Sequence, residues 1–118
     1  MTECVFCDIV VWTAPATVVA AWPDALAFVP LKPVVAGHVL VIPRMHVEDF
    51  IEHPYVSGMV MRRAAELANE LGGSMNLITS KGRDASQSVF HLHLHLVPRT
   101  KNDGLALPWH SGKGNHND

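Results

Sequence analysis

Apolar residues along this chain either alternate with polar ones or run on without a break, and five such stretches set the expected strands. They cover residues 17–22, 25–31, 38–42, 75–79 and 88–97, with Pro23 and Asp24 supplying a hairpin turn between the first two. Between the third and fourth, the period changes. Val56, Met59, Val60, Ala64, Leu67, Ala68 and Leu71 recur at helical spacing, with Pro54 near the first turn and Gly72-Gly73 after the last. The spacing predicts one amphipathic helix of about four or five turns. A shorter helix is expected after Cys7, where Phe6, Ile9 and Val10 lie close enough to share a face. The order predicts an α+β fold: a five-stranded, mainly antiparallel sheet with one long helix and a short N-terminal helix. Residues 1–118 read as a single domain, and residues 100–118, rich in Gly, Asn, Lys and His, as a flexible tail without regular structure.

Composition narrows the function classes. A chain of 118 residues, 48% apolar and 17% charged, can bury one core. The net charge of −2, with Lys and Arg scattered, lacks the basic footprint of a nucleic-acid binder, so no nucleic-acid partner is expected. The longest apolar stretch, residues 34–43, contains His38 and is far shorter than the ~20 residues of a membrane span, so no membrane partner is expected either. Met-Thr-Glu-Cys shows no basic region followed by an apolar one, and a cytoplasmic location is the expectation. Cys4 and Cys7, three apart, suit a metal or redox pair better than a disulfide closing a long loop.

The chemistry concentrates in the fifth strand. From Phe90 to Leu96 the sequence alternates strictly, which puts His91, His93 and His95 on one face and Phe90, Leu92, Leu94 and Leu96 on the other. Three imidazoles spaced roughly 7 Å apart by strand rise are more than a solvated face requires. Three ligands on one straight strand are also too far apart to converge on a single metal at ~2.0–2.1 Å, so at most one or two of them can share an ion.

His-Leu-His-Leu-His-Leu-Val, with Gln87-Ser88-Val89 before it and Pro98-Arg99 after it, resembles the signature of the histidine-triad (HIT) superfamily of nucleotidyl hydrolases and transferases. The resemblance extends to Cys4-Val5-Phe6-Cys7, to Ala27-Phe28, to the run from Gly37 to Pro43 and to Gly82. It implies that His93 attacks the α-phosphorus of a nucleotide-like substrate to give a nucleotidyl-histidine that water hydrolyses. A neutral imidazole suits that step at pH 7, and a backbone carbonyl is implied to fix its tautomer. His95 and His38 are implied as further active-site histidines, with His95 the first candidate for a phosphate-side donor. Ser88 and Gln87 stand where the family carries phosphate or leaving-group contacts, although alternation would turn Ser88 to the leucine face unless the strand bends. Residues 80–86 could offer backbone N–H groups to an anion, and Lys81 and Arg83 there also read as solvated.

The resemblance to bacterial-type members and to their uridylyltransferase relatives implies a zinc site made of Cys4, Cys7, His46 and His91. Such a closed set would be structural. Two small buried thiols are the plain alternative.

Two positions depart from the family pattern. Pro30 stands where many members place an acid that holds the ribose hydroxyls, and Ser80 where many place Asn or Gln near the α-phosphate. Phe6, Ile9, Phe28, Leu31 and Leu40 form an apolar base cleft on this reading, or ordinary core on the other. The expected substrate is a nucleoside phosphoramidate, a dinucleoside polyphosphate or another phosphoanhydride. Asp103-Gly104 and Trp109 resemble family C-termini that reach the substrate or the partner subunit, and a homodimer is implied. Two other classes stay open from sequence: a nucleotide-binding module without turnover, and a zinc-stabilised interaction protein.

Overall fold

The apolar runs pair into a sheet in which every strand lies antiparallel to its neighbours. The computed structural model describes residues 4–113. Met1 to Glu3, on which the reading of the N-terminus rested, lie outside the described residues, as do residues 114–118 of the tail. The order along the chain is α1 (Val5–Val10), β1 (Val18–Ala21), β2 (Ala25–Phe28), β3 (Val39–Pro43), α2 (Pro54–Leu71), β4 (Met75–Ile78) and β5 (Leu94–Pro98). Across the sheet it is β1-β2-β3-β5-β4. The α+β arrangement expected from the periodicities is therefore the observed one, and both helices are present.

The two central strands, β2 and β3, are buried at every position. Successive residues of a strand face opposite ways, so this requires cover on both faces. On one face Ala27, Val39, Val41, Leu94 and Leu96 meet Val56, Val60, Ala64 and Leu67 of α2. On the other, Leu26, Phe28, Leu40 and Ile42 meet Phe6 and Ile9 of α1. His53 caps α2 by accepting the Val56 N–H at Nδ1 (3.3 Å), and Gly72 ends the helix at a φ of 71°. Pro23 and Asp24 form the expected hairpin turn, closed by Trp22 N–H to the Ala25 carbonyl (2.9 Å). Arg63 of α2 holds that turn with two bonds to the Asp24 carboxylate, 2.9 and 3.1 Å.

The main departure concerns the fifth strand, expected over residues 88–97. It is paired only from Leu94 to Pro98, opposite Val41–Val39 of β3 and Ile78–Met75 of β4. Upstream, the Leu92 N–H goes to the Val47 carbonyl (2.7 Å), the His91 carbonyl to the His93 ring (2.7 Å), and the His93 carbonyl to the Thr79 hydroxyl (2.8 Å). Backbone groups spent in this way are not available to a ladder. Leu92, Leu94 and Leu96 still enter the α2 core, whereas Phe90 leaves the leucine face and lies half-buried under the Arg83 guanidinium at 5.0 Å. The short helix also starts earlier than expected. Cys4 is its cap, the Cys4 sulfur accepting the Cys7 N–H at 3.3 Å, so that Cys7 lies within the first turn.

Past β5 the chain folds into a hydrogen-bonded loop. Arg99 donates to both Asp103 oxygens (2.8 and 3.0 Å), to Asn76 (2.6 Å) and to the Leu105 carbonyl (2.5 Å). Asp103 also takes the Thr100 and Leu105 N–H groups, each at 3.0 Å. Gly112, at a φ of 79°, packs against the Leu105 backbone where a Cβ would have no room.

Burial separates two leucines of this fold. Replacing Leu96, which is 1% exposed, by Ala should cost about 2–5 kcal/mol in urea unfolding, whereas Leu31→Ala, at a position 96% exposed, should stay within about 0.5 kcal/mol.

Candidate active site and metal centre

His95 lies on β5 between Leu94 and Leu96, so the pleat that buries the leucines turns its ring to the opposite face of the sheet. His93 lies two residues upstream, its ring centroid 5.1 Å from that of His95. His38 enters from the turn before β3, expected as the strand's first residue but placed one residue ahead of it. Its Nε2 lies 2.9 Å from His95 Nδ1. These rings line a cleft of about 350 Å³ together with alternate residues along β4, β5 and the segments just past them, among them Asn76, Ile78, Ser80 and Arg99.

The hydrogen bonds decide which ring nitrogen carries each proton. The Val34 N–H can only donate, so His38 Nδ1 accepts (3.1 Å) and its proton sits on Nε2. That proton goes to His95 Nδ1, which leaves the His95 proton on Nε2. His93 runs the other way. The His91 carbonyl can only accept, so His93 Nδ1–H donates to it at 2.7 Å and Nε2 keeps its lone pair. Burial lowers the pKa of all three rings, that of His95 to about 4 with help from the His93 and His38 charges, which keeps them neutral at pH 7. One imidazole thus offers a nucleophilic nitrogen beside another that offers an N–H, a pair suited to a centre that gathers negative charge as it reacts.

Phe6 joins this site to a second cleft, of about 720 Å³. Its ring meets His93 edge-on at 5.1 Å and Phe28 at 5.4 Å. Phe6, Ile9, Phe28, Leu31 and Leu40 all line this cleft. Phe6, Ile9, Phe28 and Leu40 are core residues as well, so these four are core and cleft wall at once. Leu31 stands exposed at the mouth.

The loop before the triad differs from expectation. Ser80 reaches the His93 cleft, but Ser88 does not: it is exposed and lines a separate depression with Cys4, Cys7 and His46. The buried Gln87 is the physical reason. Its amide oxygen accepts the Gly82 N–H (2.8 Å) and its nitrogen donates to the Glu48 (2.7 Å) and Val89 (3.2 Å) carbonyls, which fixes where the chain crosses over. Gln87 borders the cleft, yet its side chain is committed to holding the loop. The N–H groups of Gly82, Ala85, Ser86 and Gln87 are likewise paired within that loop, so they do not form the anion-binding nest allowed for residues 80–86. Lys81 lies 3.9 Å from Asp49, and Arg83 covers Phe90.

Cys4, Cys7, His46 and His91 converge on the far side of His91, their ligand atoms all within 4.8 Å of one another. The Sγ of Cys4 lies 3.4 Å from His91 Nδ1, and that of Cys7 3.5 Å from it and 3.1 Å from His46 Nδ1; the two Nδ1 atoms are 3.2 Å apart. A tetrahedral ion with bonds of about 2.3 Å to sulfur and 2.0–2.1 Å to nitrogen has edges of ~3.3–3.8 Å, so the donor set fits a metal ion. His91 is fully buried and donates Nε2–H to the Pro43 carbonyl (2.9 Å), which turns its Nδ1 lone pair into the cluster. Burial and the Cys4 sulfur push the Cys7 thiol up to about 11, as expected where paired thiolates need a cation between them.

Several residues around the site escaped the sequence reading. Thr79 fixes the His93 carbonyl, Asn76 and Ser86 line the cleft, and Leu105, Ala106 and Leu107 wall it from the C-terminal loop. Strand alternation could have indicated Asn76, two and four residues ahead of Ile78 and Ser80 on the same face. Nothing local marks the others. Of the tail residues singled out, Gly104 borders the cleft, Asp103 is held by Arg99, and Trp109 is exposed.

A triad strand, a facing histidine and a single crossover helix on an antiparallel sheet define a class, and comparison with known proteins agrees. Residues 12–102 match the HIT domain model. An uncharacterised HIT-like protein of Methanocaldococcus jannaschii is 36% identical over 111 residues, covering 88% of this chain and 84% of that protein. An adenosine 5′-monophosphoramidase of Schizosaccharomyces pombe is 32% identical over 112 residues, covering 92% and 84%. The structure of a HIT family hydrolase from Clostridium thermocellum superposes with a TM-score of 0.77 at 31% identity, covering 85% of this chain and 93% of that one. This chain belongs to the HIT family.

The lowered pKa values make stability depend on acid. An unfolded histidine titrates near 6.5, so between pH 6.5 and about 4 the unfolded chain binds more protons than the folded one. The contribution of His95 is complete above about pH 6.5 and is lost as the pH falls towards 4, and that of His38 is lost in the same direction. Denaturant titrations at pH 7.5 and 5 should show wild type losing stability and His95→Gln losing less.

Proposed function

We propose that this HIT protein is a hydrolase acting at the α-phosphorus of a nucleoside phosphoramidate or dinucleoside polyphosphate through a covalent nucleotidyl-His93 intermediate. The observation that carries this reading is the 2.7 Å bond from His93 Nδ1–H to the His91 carbonyl, which leaves a neutral Nε2 lone pair beside His95. In the first step His93 Nε2 bonds to phosphorus as the bond to the leaving group breaks; the leaving group, protonated from solvent, departs as the neutral amine, and the His93 ring, still carrying Nδ1–H, is left as a cationic adduct. His95 Nε2–H, oriented through His38, donates to a phosphoryl oxygen where charge accumulates. Water then displaces His93, releasing the nucleoside monophosphate and restoring the neutral ring. The S. pombe relative's name supports the choice of a nucleoside phosphoramidate.

The leaving-group side favours the phosphoramidate over the polyphosphate. Among the described residues lining that cleft, Arg99 is the only Lys or Arg, and its guanidinium is spent on Asp103, Asn76 and the Leu105 carbonyl. Asp103 is held well below the usual carboxylate range by the same pair, so the two cancel in charge. A chain of phosphates would find no free cation there, whereas an amine needs none.

We assign zinc to Cys4, Cys7, His46 and His91, on the thiolate and imidazole character of the donors. A closed four-ligand set would supply structure rather than a reacting water, tying α1 to the segment that carries His93. The same proposal includes a homodimer through β4, which among the described residues pairs only with β5 and exposes Leu77 and Ile78, and a cytoplasmic location. Among the described residues no helix is long and apolar enough to cross a membrane.

His93→Ala should lower turnover of adenosine 5′-phosphoramidate by on the order of 10³-fold or more, and mass spectrometry of acid-sensitive, rapidly quenched wild type should find an adenylyl group on His93. Mononucleotide binding with neither adduct nor turnover would make the chain a binding module instead. Purified protein should carry about one zinc per chain, and the Cys4→Ser, Cys7→Ser double variant should lose it together with thermal stability.

A further inference from the structure

The two clefts that flank His93 differ in chemistry. On the His95 side are imidazole N–H groups, two serines and Asn76. A departing amine needs hydrogen-bond partners as its bond to phosphorus breaks, so this polar side suits the leaving group. The group that stays on phosphorus then lies on the Phe6 side, in the cleft of about 720 Å³. Among the described residues lining that cleft, only Thr17 has a side chain that bears a nitrogen or oxygen. Val5, Ala14, Ala16, Val29 and Val89 fill the positions between the aromatic and aliphatic residues already named, and Pro30 stands at the mouth beside Leu31. No side-chain carboxylate, amide, imidazole or cation is found among the described lining residues.

We propose that this cleft selects the retained group of the substrate by apolar and aromatic contact alone, so that ribose hydroxyls contribute nothing and 2′-deoxy and 2′,3′-dideoxy nucleoside phosphoramidates are substrates equal to the ribonucleoside. This rests on the phosphorus chemistry assigned to His93 above and specifies the class of substrate that chemistry takes. A site built to hydrogen-bond a hydroxyl rejects the analogue lacking it by about 10⁴–10⁵-fold. A neutral hydrogen bond from the Thr17 hydroxyl, which is exposed to competing water, is worth about two- to tenfold. The Phe6 and Phe28 rings, 5.4 Å apart and edge to face, give a flat ring the partners it needs whether or not a sugar precedes it.

The test uses the wild-type protein and three compounds with one leaving amine: the 5′-phosphoramidates of adenosine, 2′-deoxyadenosine and 2′,3′-dideoxyadenosine. The three kcat/KM values should agree within about tenfold. In parallel, calorimetry with AMP and dAMP, which needs no turnover, should give dissociation constants within the same factor. A ribonucleoside preference above tenfold in either measurement overturns the proposal while leaving the hydrolase reading intact. Failure to bind either mononucleotide overturns it too. Equal binding of AMP and dAMP without turnover of any compound upholds the cleft's indifference and defeats the hydrolase reading, so the two failures are told apart.

Discussion

The hydrogen bond from His93 Nδ1–H to the carbonyl of His91 constrains three consecutive residues at once. To present that carbonyl, the backbone leaves the sheet ladder before His93, and the Leu92 N–H is taken by Val47 instead. Leu92 then points into the α2 core while the His91 ring turns the opposite way, towards Cys4, Cys7 and His46. The segment therefore anchors in the core, in the metal cluster and in the active site within three residues. Its non-ladder conformation is held from outside by the Pro43 carbonyl, the Thr79 hydroxyl and the Gln87 amide. A nucleophile whose tautomer is set in this way needs no reorganisation when it reacts, which is what preorganised polar sites contribute.

The sheet distributes these roles by face. The α2 face is hydrocarbon and supplies stability, whereas the other face carries α1, the triad rings and both clefts. Phe6 is the hinge of that arrangement. It packs on Phe28 in the core, touches the rings of His91 and His93, and lies one residue from Cys7 and two from Cys4. A metal ion on the cysteines would consequently fix the floor of the apolar cleft and the position of the nucleophile together, although the metal donors and the reacting nitrogen point in different directions.

Much of this was legible because the core follows simple periods. Val56, Val60, Ala64 and Leu67 gave α2, and the leucines of the triad gave the buried side of β5. The start of β5 was not legible. Alternation fixes which way side chains point, but Leu92 can stay buried while its N–H bonds to a loop, and no pattern of residue types reports that choice. The side taken by Ser88 was not legible for the same reason, since it depends on the Gln87 amide finding Gly82 and Glu48. Cys4 and Cys7 read as a metal or redox pair from their spacing, but the full set of four donors spans positions up to 87 residues apart and was recognisable only through the family resemblance. The Arg99–Asp103 clamp, although only four residues long, reads in sequence as two ordinary surface charges.

The account stands on the protonation pattern of three imidazoles, and that pattern can be observed without substrate. Long-range ¹H–¹⁵N correlation at pH 7.5 distinguishes a protonated ring nitrogen from one with a free lone pair. It should show His93 as the Nδ1–H tautomer and both His38 and His95 as Nε2–H tautomers, each as a single form. Finding the His93 proton on Nε2, or exchanging between the two nitrogens, would contradict the claim that the backbone of His91 holds the nucleophile ready.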